Sequence, residues 1–225
     1  MQNFFAHIRK KLFGSLDQSQ VEGINAILAA TAGLPLAHRA YALATAYHET
    51  GKKMSANREN LNYSVQGLLG TFGRHRISLS EARAYGRSPT QKANQQAIAN
   101  LIYGRRWGLD NLGNTQPNDG WHFRGGGMDH TTGRANFGKA DKELGLGGKL
   151  VVNPDLILDN TLAAKVLASG MTTGRYRGVS FSTYLPKVGP ATIEQFTKAR
   201  AILNPDANGR MIAGYAIEFQ KALQA

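Results

Sequence analysis

Residues 40–47 read AYALATAY, eight consecutive positions without a charge, at the centre of a stretch with helical spacing over residues 36–50 that should stop at Gly51. A helix apolar around most of its circumference must be wrapped by other elements, because otherwise its apolar surface stays in water. The chain therefore needs a layered helical core. It has the material for one: 225 residues, 42% of them hydrophobic, enough for one large domain or two small ones and incompatible with intrinsic disorder.

Other helices announce themselves by caps and spacing. Asp17-Gln18-Ser19-Gln20 reads as a capping box, and Val21, Ile24, Ile27 and Leu28 recur behind it until Gly33 and Pro35 end the run. Shorter helices are expected after Ser64, from Ser80 and from Thr90, the last with Ala93, Ala97, Ile98, Leu101 and Ile102 as its apolar stripe. Helices resume near Thr161, Thr192 and Asn208. Between them, residues 104–148 hold twelve of the 26 glycines and both tryptophans, which predicts loops and a small hairpin rather than long helix. No internal repeat, heptad array or interdomain linker is visible.

The charge balance is 27 Lys+Arg against 15 Asp+Glu, a net +12 that predicts attraction to nucleic acid, anionic lipid or an acidic cell wall. The basic residues are spread along the chain, which argues against a nucleic-acid-binding module. With no cysteine, disulfides, thiolate zinc sites and thiol nucleophiles are excluded, so any catalysis uses oxygen or nitrogen groups. No stretch approaches the ~18 apolar residues of a membrane span. In MQNFFAHIRKKLFG the basic residues follow the apolar start, the reverse of a secretory signal. The expectation is a cytoplasmic product without stable membrane insertion, whose residues 1–16 are a mobile or packed terminus rather than a membrane-touching helix.

Glu49 stands at the C-terminal end of the uncharged helix, where burial and the negative end of the helix dipole both favour a protonated acid, the state a general acid requires. The alternative is a carboxylate in solvent or paired with Lys52 or Lys53. Ten residues on, Glu59 lies beyond Gly51, where a turn could aim it at Glu49; two facing carboxylates are the minimum for glycoside hydrolysis. Taken alone, a carboxylate such as Glu59 is more often a solvated surface group. Lys52 occupies the place of the second histidine in a zinc-protease HExxH, and neither RGGGMDHTTG nor GLGGK has phosphate-loop spacing. Asp129 and His130, with His48 or His122, could form a dyad or metal site, although scattered histidines are more often structural.

In this order, AYALATAYHETG, ENLNYS, IANLIYGRRWG, DGWHFRGGGMDHTTGRANFG, NPDLILDNTLAAKVLASGM, ARAILN and IAGYAIEFQKAL resemble the phage endolysins and bacterial chitinase-like proteins of glycoside hydrolase family 19. The resemblance implies a mostly α, lysozyme-like two-lobed fold with a glycine-rich region lining the cleft, in a single catalytic domain without a wall-binding module. It puts Glu49 on the general acid, Glu59 on the general base, and Thr132 on the hydroxyl that holds the nucleophilic water. Tyr63, His130 and Asn204 fall on substrate-binding positions. Three departures from the family's YRGRGxxQLTG pattern matter: Gly126 replaces Arg, Asp129 an apolar residue and His130 Gln. Asp129 thereby becomes a conceivable extra carboxylate near the cleft.

The implied activity is hydrolysis of the β-1,4 bond between N-acetylmuramic acid and N-acetylglucosamine, with inversion and without metal or cofactor. A chitinase is the nearest rival, and the positive charge favours peptidoglycan over neutral chitin. The implied protein is a monomer that binds no nucleic acid, acts on peptidoglycan, and depends on a separate holin to pass from the host cytoplasm to the wall.

Overall fold

The uncharged run folds as the helix Leu36–Glu49, in which every residue from Ala40 to Tyr47 is buried. The computed structural model describes residues 2–225, mostly helical, with strand confined to a paired ladder of two-residue segments, Asn57–Arg58 and Gly126–Gly127. The chain divides into two units. One comprises the residues up to Asn57, Gly127–Asp129 and Ile157–Ala225; the other comprises Arg58–Gly126 and His130–Leu156.

In the first unit the Leu36–Glu49 helix packs against the C-terminal helix Gly209–Gln224, which also receives Gln2–Ile8 and Ile193–Ala199. Tyr41, Leu43 and Tyr47 of the buried helix share this core with Ile24, Phe181, Phe196, Ile212 and Phe219. Burying each such side chain contributes about 1.5–3 kcal/mol. The capping box at Asp17 forms as expected and starts the helix Gln18–Ala30. Phe4 and Ile8 are buried against the same core, so the N-terminal helix is packed. Gly23 permits one close crossing: a Cβ there would lie 1.9 Å from the carbonyl oxygen of Met54.

The second unit is built on a smaller core of Leu61, Leu68, Phe72, Ile77, Ala82, Ile98, Ala99 and Ile102. The helix after Ser64 runs Val65–Phe72, with the Ser64 hydroxyl accepting from the N–H of Gly67. The helix expected from Ser80 begins earlier, at Leu79, because Ser78 and Glu81 close a reciprocal cap. The helix expected from Thr90 begins later, at Gln95. Ser88 and Gln91 bridge in a turn, the Gln91 amide donates to Gly86 O at 2.8 Å, and Asn94 becomes the cap.

The glycine-rich centre departs further from expectation. Residues 104–148 include the helices Arg105–Leu112 and Arg134–Glu143. The glycines punctuate helices instead of replacing them, as at Gly113 and Gly133, both at positive φ. Arg134 is held by Asp119 at 2.6 and 2.8 Å, and Phe137 and Ala140 are buried. In place of a hairpin closed on itself, Gly126–Gly127 pairs with residues 57–58, and Gly126 makes a local bridge to Thr131.

Candidate active site

Glu49 ends its helix with the carboxylate 2.6 Å from Arg200 Nη1, a partner 151 residues away. Arg200 lies just past the helix Ile193–Ala199, is 5% exposed, and holds Asp206 with its other edge at 2.6 Å. Burial pushes the guanidinium down, but its bonds to Asp206 and Glu49 outweigh that and raise it overall. The Arg200 bond and the N–H of Asn208 hold Asp206 well below the usual carboxylate range, against a smaller opposing effect of burial. Tyr41 lies two turns before Glu49 on the same helix face. Burial pushes its phenol up, aided by the charges of Glu49 and Asp206 and opposed by Arg200. Asn204 is exposed beside this cluster, its backbone N–H bonded to Arg200 O and its amide 3.4 Å from Asp206.

The structure thus gives Glu49 a partner that the sequence reading missed. Lys52 and Lys53 are exposed, and Lys52 instead lies over the Tyr47 ring. The helix-end argument included burial and the dipole but omitted a guanidinium delivered by the tertiary fold.

In the second unit Glu59 follows the short strand, with its N–H bonded to Gly125 O at 2.8 Å. Both carboxylate oxygens accept from the Tyr103 hydroxyl, at 2.8 and 3.0 Å, and Oε2 also accepts from the Gly125 N–H at 3.3 Å. Thr132 faces the same side of that glycine. A Cβ on Gly125 would be 3.3 Å from Glu59 Oε2 and 3.5 Å from Thr132 Oγ1. The Thr132 hydroxyl donates to His130 O at 2.9 Å, so its lone pairs remain to accept another proton. Glu59 and Thr132 thus present acceptor atoms toward the same side of Gly125.

Tyr63 stands edge-on to Phe72, 5.4 Å between ring centres, and Phe72 meets Tyr103 in the same way at 6.2 Å. Burial and the neighbouring Glu59 charge push the phenols of Tyr63 and Tyr103 up, keeping Tyr103 a donor. His130 is partly buried and takes a positive φ of 52°, turning its carbonyl to the Thr132 hydroxyl.

Asp129 is 5% exposed and lies in the first unit, where Tyr176 donates to it at 2.5 Å and Arg175 stands 3.7 Å away, so the conceivable extra carboxylate is a buried group with structural partners. Tyr103 and Arg200 lie inside the motifs IANLIYGRRWG and ARAILN but were given no role in the sequence, and Asp206 lies just beyond the second. Among the described residues no three His, Asp or Glu side chains converge as a metal site, and no helix is long and apolar enough to cross a membrane.

No family model matches the chain. Over 103 residues it is 38% identical to a glycosyl hydrolase family 19 domain-containing protein of Haemophilus influenzae. The aligned stretch covers 46% of this chain and 46% of that protein, so the chain spans about half the length of the curated relative it matches.

Proposed function

We propose that the protein is a glycoside hydrolase of the family 19 type that cleaves the β-1,4 bond between N-acetylmuramic acid and N-acetylglucosamine, as a peptidoglycan-degrading endolysin. The observation that supports this reading is the approach of Glu59 Oε2 and Thr132 Oγ1 to the same side of Gly125, between which the mechanism places its water. The partial identity to a family 19 domain-containing protein supports the chemical class.

In this mechanism Glu49 protonates the leaving oxygen while Glu59 deprotonates the water held by Thr132, so the anomeric centre inverts. The cluster of Glu49, Arg200 and Asp206 has two carboxylates and one guanidinium, and one proton brings it to neutrality. Arg200 holds Asp206 well below the usual carboxylate range, so Asp206 keeps its charge. Tyr103 fixes Glu59 in its orientation. Tyr63, His130 and Asn204 contact the sugars, and the +12 charge draws the enzyme to an anionic wall. In a phage-infected cell, passage from cytoplasm to wall would depend on a separate holin.

Mass spectrometry of fragments released from purified peptidoglycan tests the proposal. Reducing N-acetylmuramic acid ends, with the inverted anomer seen first by NMR, are expected. Cleavage of N-acetylglucosamine polymers alone would make it a chitinase, and 1,6-anhydro ends would make it a lytic transglycosylase.

A further inference from the structure

We infer that Arg124 is a receptor for a carboxylate carried on the glycan strand, and that it gives the site beside Glu59 its preference for an acidic polymer. The inference rests on the glycosidase reading above for the identity of the ligand. Its geometry is independent of that reading.

The Arg124 guanidinium lies over the Trp121 ring, 3.4 Å from the ring centre, and its Nη1 donates to Trp121 O at 2.7 Å. Its Nε is sealed from solvent without a hydrogen-bond partner among the described residues. A guanidinium carries five N–H donors in a planar fork, so most of the fork's capacity is unspent. Beside it, Arg58 is engaged at all three nitrogens: Nε and Nη2 reach Asp155 Oδ1 at 3.2 and 2.7 Å, and Nη1 reaches the carbonyl oxygen of Arg124 at 3.1 Å. Asp155 therefore balances Arg58, and Arg124 is left with no ion pair of its own among the described residues.

Burial, and then the charge of Arg58, push the Arg124 guanidinium down, against smaller opposing effects of Asp155 and Glu59. Holding a partly desolvated cation next to another cation costs free energy, and stacking on Trp121 hinders it from swinging away. An incoming carboxylate would relieve that cost by accepting from the fork. The position suits a substrate: the next residue is Gly125, whose N–H meets Glu59 and whose Cα faces Thr132. A polymer of N-acetylglucosamine has no carboxylate. Peptidoglycan has them on its peptides and, where peptides are removed, on the lactyl group of each muramic acid.

The test is equilibrium binding, with Glu49→Gln in every arm to prevent turnover. The ligands are soluble peptide-free glycan strands, which carry only lactyl carboxylates, and peptide-bearing strands, whose lactyl groups are amide-linked; each is compared with its methyl ester. Esterification is expected to weaken binding by about tenfold or more, and Arg124→Gln to close most of that gap. A gap on peptide-free strands assigns the lactyl carboxylate; a gap only on peptide-bearing strands assigns the peptide. Arg124→Lys keeps the charge without the planar fork, is expected to keep part of the gap, and serves if Arg124→Gln does not fold. No ester effect, or the full effect in a folded Arg124 variant, overturns the inference. Failure of the unsubstituted protein to cleave any glycan would overturn the hydrolase reading and leave this binding result standing.

Discussion

Arg200 Nη1 and Glu49 Oε1 lie 2.6 Å apart and join the end of the most buried helix to a residue 151 positions later. The same guanidinium holds Asp206, so the three side chains form one charge cluster rather than two separate pairs.

Replacing Glu49 by Gln should abolish clearing of wall suspensions while leaving the helical fold intact, since the amide keeps the shape but cannot donate the proton. General acid catalysis contributes typically ~10²- to 10⁴-fold. Near-normal turnover by folded Glu49→Gln would remove the core of the proposed mechanism. Arg200→Met should instead destabilise the protein by ~3 kcal/mol, because it leaves two carboxylates facing each other without their cation. A double variant with Asp206→Asn should recover part of that loss in urea unfolding.

Tyr103→Phe removes the hydroxyl that bonds both oxygens of Glu59 but keeps the ring against Phe72. A hydrogen bond to a charged group contributes about 1.5–3 kcal/mol, so turnover should fall by about ten- to a hundredfold if the bond orients the base in the transition state. A rise in KM at constant kcat would place Tyr103 in substrate binding instead.

The two threonines of the glycine-rich loop should separate. Thr131 is buried and its carbonyl holds the Gly126 N–H at 3.1 Å, so Thr131→Ala should lower Tm more than turnover. Thr132→Ala should lower kcat more than it changes KM or Tm, because a hydroxyl that orients water acts mainly in the transition state. Gly125→Ala should resemble Thr132→Ala, since its Cβ would press on Glu59 Cβ at 3.2 Å. Equal small effects on kcat from all three would remove Thr132 from the water site.

Stability should fall as the pH drops below about 6.5. His38 is 4% exposed and stacked on Phe181 at 4.9 Å. Burial, with Lys187 nearby, holds its imidazole below the ordinary value of 6.5, against an opposing hydrogen bond to the Leu185 backbone. The unfolded chain therefore takes up this proton more readily than the folded one. The contribution is fully present above the unfolded value and is lost as the pH falls through the folded one. Thermal melts between pH 8 and 5 should show a smaller acid decline for His38→Phe than for the unsubstituted chain.

Salt should separate wall binding from chemistry. Binding to intact sacculi should weaken as salt rises to a few tenths molar, where the Debye length falls below ~8 Å. Turnover of a short uncharged glycan should hold over the same range. A parallel fall in both would mean that the +12 charge acts on the catalytic groups or on stability.

The helical class and much of the helix map were legible in the sequence because caps and periodicity act within a few residues. Asp17 with Gln20 marks one helix start, and the uncharged residues 40–47 mark the centre of the larger core. Where local signals competed, the boundaries moved: Ser78 pre-empted the start at residue 80, and the Gln91 turn delayed the next helix to Gln95. Glycine density hid the Arg134–Glu143 helix, which depends on Asp119 fifteen residues earlier holding Arg134. Side-chain partners were the least legible. Arg200 beside Glu49, Tyr103 beside Glu59 and Tyr176 on Asp129 are separated by 151, 44 and 47 residues, and no sequence period records such a distance. Local hydrogen bonding and hydrophobic spacing determined by themselves most of the helices outside the glycine-rich centre and which carboxylates were candidates. Only the tertiary path of the chain decided which cation or hydroxyl faces each carboxylate, because electrostatic partners are chosen by proximity in space after the apolar faces have packed.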